Sequence, residues 1–361
     1  MTSLSPAPGH GPIFIIGAMG SGSTLLRLIL DSHDNIGIPQ ETGFMRAYNA
    51  HQFVPFKWSG RNWAKRMGWT RKELDEELAG FYDRIFSRYA AKHGKERWGD
   101  KTPFHTWHVD DMARVFPDAA FIAIVRHPGG CVGSNMSRWG QTIRHATDHY
   151  RRYNMEIARV AAEHGDRVAV VRYEDLVLQP EPVLRELLDW LGEEWSSSVL
   201  EHHAVQGSRG GKRKVEGRSI VDDPIDVSRI SKWTTRMGER QRAILRRRLG
   251  RLGSFYGYEV DDPAALTPVR EGSLLVGGAD LDARIEQFAE LDLRRRRAVP
   301  VADRFFDPRK VKVRSVEALA ELERKPPPHP VRRAVLAVWR RTPAGVQARV
   351  RPLVRRIIRR F

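Results

Sequence analysis

The chain has 361 residues and 41% hydrophobic content, enough for a full core in one large domain or in a domain with an extension. A single cysteine, Cys131, excludes an intramolecular disulfide and a cysteine-based metal centre. The net charge of +17 is uneven: residues 329–361 hold ten arginines and no acid, so basicity is mostly a property of one end, and no nucleic-acid motif accompanies it.

Residues 1–11 read as a flexible Pro/Gly-rich lead-in without a basic and apolar leader pattern. No stretch reaches the ~18 apolar residues of a membrane span. With the lone cysteine, these features set a cytoplasmic location as the expectation. Ile13–Ile16 is a short apolar run of the kind that forms a buried parallel strand. A Gly/Ser-rich turn follows (Gly17, Gly20, Ser21, Gly22, Ser23, Thr24), then an apolar helix from Leu25 to Leu30. A second strand is expected near Ile36–Ile38, ending at Gln40-Glu41-Thr42. Residues 42–70 carry Trp58, Trp63 and Trp69 and read as helices and loops on the substrate side. Leu74, Leu78, Phe81, Tyr82, Ile85, Phe86 and Tyr89 recur at helical spacing, which predicts a helix over 71–92 with this stripe in the core. Arg97–Pro103 reads as a strand running into a turn, with a helix from about Phe104 to Val115.

Ala119–Val125 is the next buried strand, ending at Arg126-His127-Pro128, with a helix starting near Gly129. Residues 143–164 are predicted helical, Arg167–Val171 extended, and 180–203 helical after Pro180 and Pro182. Gln206–Pro224 has no periodicity and reads as a long loop; 236–255 is a basic helix. The alternation predicts an α/β fold, P-loop-like and three-layered around a mostly parallel sheet, over residues 12–262. Residues 263–361 form a helical basic extension, with a polar helix near 280–297 and a break at Pro326-Pro327-Pro328.

Strand, glycine-rich turn and helix together make an anion site: turn N–H groups converge and the helix N-terminus adds partial positive charge. The alternative is a tight βα turn that binds nothing. Gly17 to Thr24 spells G-x-x-x-x-G-S-T, a nucleoside-triphosphatase loop except that Ser23 stands where the lysine belongs. The strand ending at Val125 leads to Arg126 rather than to a Mg²⁺-binding Asp, so triphosphate hydrolysis is disfavoured. A second phosphate signature lies in Arg126 and, eight residues on, Ser134. A strand-end arginine and a hydroxyl two turns into the next helix can grip one phosphate from two sides, with Arg138 on the same face as a third contact. The alternative is an arginine that caps carbonyls.

The two signatures resemble those of sulfotransferases that use 3′-phosphoadenosine 5′-phosphosulfate (PAPS), most closely the tyrosylprotein and carbohydrate types. Ser21-Gly22-Ser23-Thr24-Leu25-Leu26 is similar to that family's 5′-phosphosulfate loop, with one departure: Gly20 sits where the family carries Lys or Arg. The resemblance covers about residues 11–260. It implies PAPS as donor and 3′-phosphoadenosine 5′-phosphate (PAP) as product. It also implies donor contacts from Gly20, Ser21, Gly22, Ser23, Thr24, Arg126, Ser134, Arg138, Tyr173 and Lys232. By the same resemblance Glu41 is the general base, Lys101 supports the transition state and Ser231 lies near the phosphosulfate. Lone loop carboxylates are usually solvated, and Lys101 pairing with Asp100 is the alternative to a catalytic role. Three sources of the charge absent at Gly20 stay open: Lys101 with Lys232, a residue of the 209–214 stretch (Arg209, Lys212, Arg213, Lys214), or none. No Asp/Glu/His cluster suggests a metal, and sulfuryl transfer requires none.

The expected reaction moves a sulfuryl group from PAPS to a hydroxyl acceptor, with a carbohydrate or lipid-linked hydroxyl suggested by the aromatic stretch 44–69 and the basic tail. A PAPS- or PAP-binding protein that catalyses weakly or not at all is the first alternative, and a P-loop nucleotide kinase the second. Val346, Val350, Leu353, Val354, Ile357, Ile358 and Phe361 share a helical face flanked by arginines. A basic amphipathic helix favours an anionic membrane surface, here the inner face. The competing expectation is that this stripe packs on the domain or on a second copy in a homo-oligomer.

Overall fold

The computed structural model describes residues 9–57, 63–208, 224–260 and 275–276. Sequence expectations for Trp58, residues 209–223, the 280–297 helix, the proline break and the arginine-rich end fall outside them. No described helix is long and apolar enough to cross a membrane.

Six strands form one sheet: β1 Ile13–Gly17, β2 Ile36–Gly37, β3 Arg97–Lys101, β4 Ala120–Val125, β5 Val168–Arg172 and β6 Leu275–Val276, in the order β2-β3-β1-β4-β5-β6. All pairs are parallel except β5 with β6, an antiparallel edge that the sequence did not suggest. Strand residues sort by the two-residue period of a pleat. Phe14, Ile16, Phe121, Ala123, Val168 and Val170 belong to one core cluster. Ile13, Ile15, Ile122, Ile124, Ala169 and Val171 belong to the other. Both faces of the sheet are therefore covered, which explains the unbroken apolar runs.

The helices are α1 Ser23–Leu30, α2 Phe44–Lys57, α3 Trp63–Arg66, α4 Arg71–Lys92, α5 Val109–Val115, α6 Pro128–Trp139, α7 Ile143–His164, α8 Tyr173–Leu178, α9 Pro180–Leu191, α10 His202–Ser208 and α11 Glu239–Phe255. Helix α4 starts where its capping box dictates, with Thr70 and Glu73 bonding each other's backbone N–H. Its apolar stripe is only half buried: Tyr82 and Phe86 are in the core, while Phe81 and Ile85 are 46% and 47% exposed. The expected helix over 104–115 is two elements: a 3₁₀ turn, Pro103–His108, with Pro103 at its start, and α5, separated at His108, whose φ of −123° is not helical. The helix expected over 180–203 stops at Leu191, where Gly192 takes a left-handed cap at φ +71°.

Strand order reverses at β1: β2 and β3 lie to one side, β4 and β5 to the other. Register places the carboxyl ends of β1, β3, β4 and β5 along one edge, with Ile15 opposite Lys101, Gly17 opposite Ile124 and Val125 opposite Arg172. In an open α/β sheet this is where ligands bind.

Candidate active site

The loop between β1 and α1 is held open by its glycines. Gly20 and Gly22 take φ of +87° and +102°, a region L-residues rarely adopt. A Cβ on Gly22 would come within 2.3 Å of the Tyr173 ring. Side chains of α6 stitch the loop from behind: Asn135 Nδ2 and Cys131 Sγ donate to the Met19 carbonyl at 2.7 and 3.2 Å. Gly22, the N-cap of α1, provides no side-chain cap, and the first intrahelical bond is Leu26 N–H to Gly22 O. The N–H groups of the first turn therefore face the cleft without helical acceptors, as an anion site requires.

That cleft, about 260 Å³, is lined by Gly20, Gly22, Ser23 and Thr24 at the loop and the start of α1, Arg126 just after β4, Ser134 and Arg138 from α6, and Tyr173 from α8. Lys232, with Arg229 and Arg236, closes it from the 224–236 segment. Five basic side chains against one acid, Asp226, give it a positively charged lining suited to a polyanion. Arg126 stacks on Tyr173, 4.2 Å from the ring centroid, and donates to the carbonyls of Gly20 (3.1 Å) and Arg229 (2.7 Å). The carbonyl-capping role weighed for it is thus real, but its Nε has no protein partner among the described residues. Gly130 lets the guanidinium lie close, since a Cβ there would be 2.7 Å from Nε. Asp226 gathers Arg229 (3.1 Å) and Lys232 (3.2 Å). Hydrogen bonding from Ser228, then from Lys232 and Arg229, holds the Asp226 carboxyl well below the usual range.

A second cleft, about 650 Å³, adjoins through Glu41, Thr42, Gly43, Thr102 and Pro103, and is walled by Phe104, His149 and Tyr153. One side chain joins the two. Lys101 is 3% exposed; its Nζ donates to Thr24 Oγ1 at 3.3 Å and ion-pairs with Glu41, whose carboxylate is 42% exposed. Asp100 is turned away from this pair, toward His105 and Thr42.

Two sequence-selected residues fall outside this constellation. Ser21 is buried, its Oγ directed back toward Gly17 rather than lining the cleft. Ser231 is exposed and lines neither cleft; the turn that starts at its carbonyl puts Lys232 and Trp233 in the wall instead. Sequence reasoning missed Arg229, Arg236, Ser137 and Asp226, which carry no motif and reach the cleft only through the fold of the 224–236 segment and the helical phase of α6. A cluster of metal-type ligands that the sequence did not suggest, Asp110, Glu163 and His164, lies at the start of α5 and the end of α7. Arg159 pairs with both of its acids, supplying the positive charge there.

A glycine-rich loop at a helix N-terminus, a wall of basic side chains and a second cleft bearing Glu41 meet at the carboxyl edge of the sheet, an arrangement suited to group transfer from an anionic donor. The family model described as "Sulfotransferase family" matches residues 12–197, more than half of the chain. Protein-tyrosine sulfotransferase 1 of Danio rerio is 32% identical over 258 residues, covering 67% of this chain and 71% of that protein. Protein-tyrosine sulfotransferase 2 of Gallus gallus is 30% identical over 236 residues, 61% of this chain and 62% of the relative. The sulfotransferase domain of the Synechococcus PCC 7002 olefin synthase superposes with a TM-score of 0.44 at 19% identity, over 80% of this chain and 97% of that one. The chain belongs to the sulfotransferase family: it is an enzyme that transfers a sulfuryl group to a hydroxyl acceptor, and PAPS is the family's general donor.

Proposed function

We propose that the basic cleft holds PAPS, that the adjoining cleft holds the acceptor, and that the acceptor hydroxyl is a tyrosine phenol. Lys101 bridging the phosphate loop and Glu41 is the observation that carries this reading. The first-turn N–H groups of α1, with Ser23 and Thr24, suit the 5′-phosphosulfate; Arg126, Ser134 and Arg138 suit the 3′-phosphate. PAPS, when bound, supplies the sulfuryl group and departs as PAP. Glu41 accepts the proton of the attacking hydroxyl. Lys101 neutralises negative charge developing on the leaving phosphate oxygen, which lets it stand in for the cationic side chain absent at Gly20. Phe104, His149 and Tyr153 offer aromatic walls to a phenol ring, and the relatives' names point the same way, away from the carbohydrate or lipid hydroxyl expected from residues 44–69. We also propose, from sequence alone, that residues 329–361 hold the enzyme at an anionic membrane surface.

Purified enzyme with radiolabelled PAPS and a panel of tyrosine peptides, sugars and lipid-linked glycans tests the acceptor. Label on the peptide phenol is expected; label only on a sugar hydroxyl overturns it. Calorimetry with PAP and AMP tests the donor site: a clear preference for PAP is expected, and equal affinity removes the 3′-phosphate assignment.

A further inference from the structure

Glu41 and Lys101 come from segments 60 positions apart, one a loop and one a strand end, yet their charged groups meet. Proximity in the fold does not by itself fix a loop carboxylate that is 42% exposed. Something must hold the Gln40–Gly43 loop against β3.

The bonds that do so bracket the pair. On one side Thr42 donates from its Oγ1 to Asp100 Oδ2 at 2.7 Å, and its backbone N–H reaches the same oxygen at 3.3 Å. On the other, Gly43 N–H donates to Thr102 Oγ1 at 3.3 Å. The Thr42 hydroxyl also accepts the Phe44 N–H at 3.3 Å, so both of its hydrogen-bonding directions are committed and the loop is tied into the start of α2. Asp100 is fully buried. Burial alone would push its carboxyl up, but His105, whose Nδ1 lies 2.9 Å from Oδ1, together with Thr42 and Thr102, outweighs burial and holds it below the usual range. His105 is fixed in turn by the Phe44 ring, edge-on at 4.9 Å.

We infer that Asp100 is a positioning residue for sulfuryl transfer: acting through Thr42, this buried carboxylate sets the Glu41 carboxylate at the reacting end of Lys101. The inference rests on the assignment of Glu41 and Lys101 proposed above. Neighbouring positions on a strand point to opposite faces, so Asp100 cannot share the face of Lys101 and instead anchors the loop from behind it. A carboxylate suits the task because it accepts two bonds at one oxygen while the other oxygen meets a histidine. Removing the tie leaves every reacting group present but lets the base wander, and displacements near 1 Å cost on the order of 100-fold in rate.

Thr42→Val is the cleanest test, since Thr42 is exposed and the change nearly isosteric; Thr42→Ser keeps the hydroxyl. Measured beside Asp100→Asn and Glu41→Gln, the readouts are kcat, the KM for PAPS, PAP affinity by calorimetry and the pH–rate profile. For Thr42→Val we expect kcat to fall roughly 10- to 100-fold, with PAP affinity kept within about twofold and the acid limb of the profile displaced, and Thr42→Ser to restore the rate. A Thr42→Val enzyme with wild-type kcat and profile, beside an impaired Glu41→Gln, overturns the inference and leaves the assignment of Glu41 standing. Wild-type turnover in Glu41→Gln as well overturns both.

Discussion

The phosphate loop lacks a basic side chain at Gly20, and the backbone explains why one is not simply added back. Gly20 sits at φ +87°, and a Cβ there would lie 3.0 Å from Asn135 Nδ2 and 3.2 Å from both the Cys131 carbonyl and Ser134 Cβ. Asn135 is the side chain that fixes the Met19 carbonyl, so crowding it loosens the loop. Gly20→Arg is expected to lose about 1–3 kcal/mol of stability through strain without a gain in turnover. Urea unfolding with a parallel rate assay checks this, and a variant as stable as wild type and faster would show that the loop yields. Lys101 carries the complementary prediction. Lys101→Ala should lower kcat about 100-fold or more while calorimetry still records PAP binding, because the contacts proposed for the 3′-phosphate lie just after β4 and on α6. Wild-type turnover in that variant removes Lys101 from the chemistry. Both residues were legible in the sequence as motif letters. Ser231 shows the limit of such letters, since a motif gives the order of side chains but not the turn that sends Lys232 and Trp233 into the wall and leaves Ser231 in solvent.

Element by element, the helix α6 shows what periodicity reveals and what it hides. Its start after Arg126-His127-Pro128 followed from the strand end and the proline. The function of Gly129, Gly130 and Gly133 did not, because a glycine in a helix reads as a weakness of about 1 kcal/mol. Here each removes a side chain from a contact. A Cβ on Gly129 would fall 2.4 Å from the Trp233 indole, and one on Gly133 3.2 Å from its Cβ. Trp233 is buried against α6 and stacks on His127 at 4.8 Å, and its neighbour Lys232 lines the donor cleft. Gly129→Ala should therefore displace the 224–236 wall, with about 1–3 kcal/mol of overpacking cost and clearly weaker PAP binding in the protein that remains folded. Calorimetry beside a thermal melt separates the two effects; unchanged affinity would mean that the wall does not contribute to the donor site. The exposed half of the α4 stripe teaches the converse. Helical spacing identified a helix correctly, but a stripe wider than the surface it covers leaves Phe81 and Ile85 outside the core.

Across the whole domain, the late segment that completes the donor cleft is latched to the sheet through His127, and this makes the latch sensitive to acid. Its His127–Glu259 bond spans a sequence separation of 132, beyond what local pattern could reveal. His127 Nδ1 accepts the Gly129 N–H at 3.1 Å, so Nε2 is the protonated nitrogen and donates to the Glu259 carbonyl at 3.2 Å. The first bond needs the neutral ring, since an imidazolium still donates from Nε2 but cannot accept at Nδ1. Its backbone N–H goes to Glu174 Oε1 at 3.1 Å, and Tyr258 donates to Glu174 Oε2 at 2.7 Å, closing the same junction. Burial lowers the His127 pKa to about 4; the Glu259 bond opposes this, and the charges of Arg126 and Arg172 reinforce it. A group whose folded pKa lies below its ordinary value of about 6.5 binds fewer protons folded than unfolded. Its contribution to stability is thus complete above pH 6.5 and is lost as pH falls from 6.5 toward 4. His149, also pushed to about 4 by burial, adds to the same limb from the wall of the second cleft. Replacing His127 with Asn keeps an acceptor for the Gly129 N–H at the helix cap and removes the titrating ring. Wild-type protein should lose more melting temperature between pH 7 and pH 5 than His127→Asn does, while His149 gives both a shared residual slope. Equal losses in the two proteins would place the acid sensitivity elsewhere than in this latch.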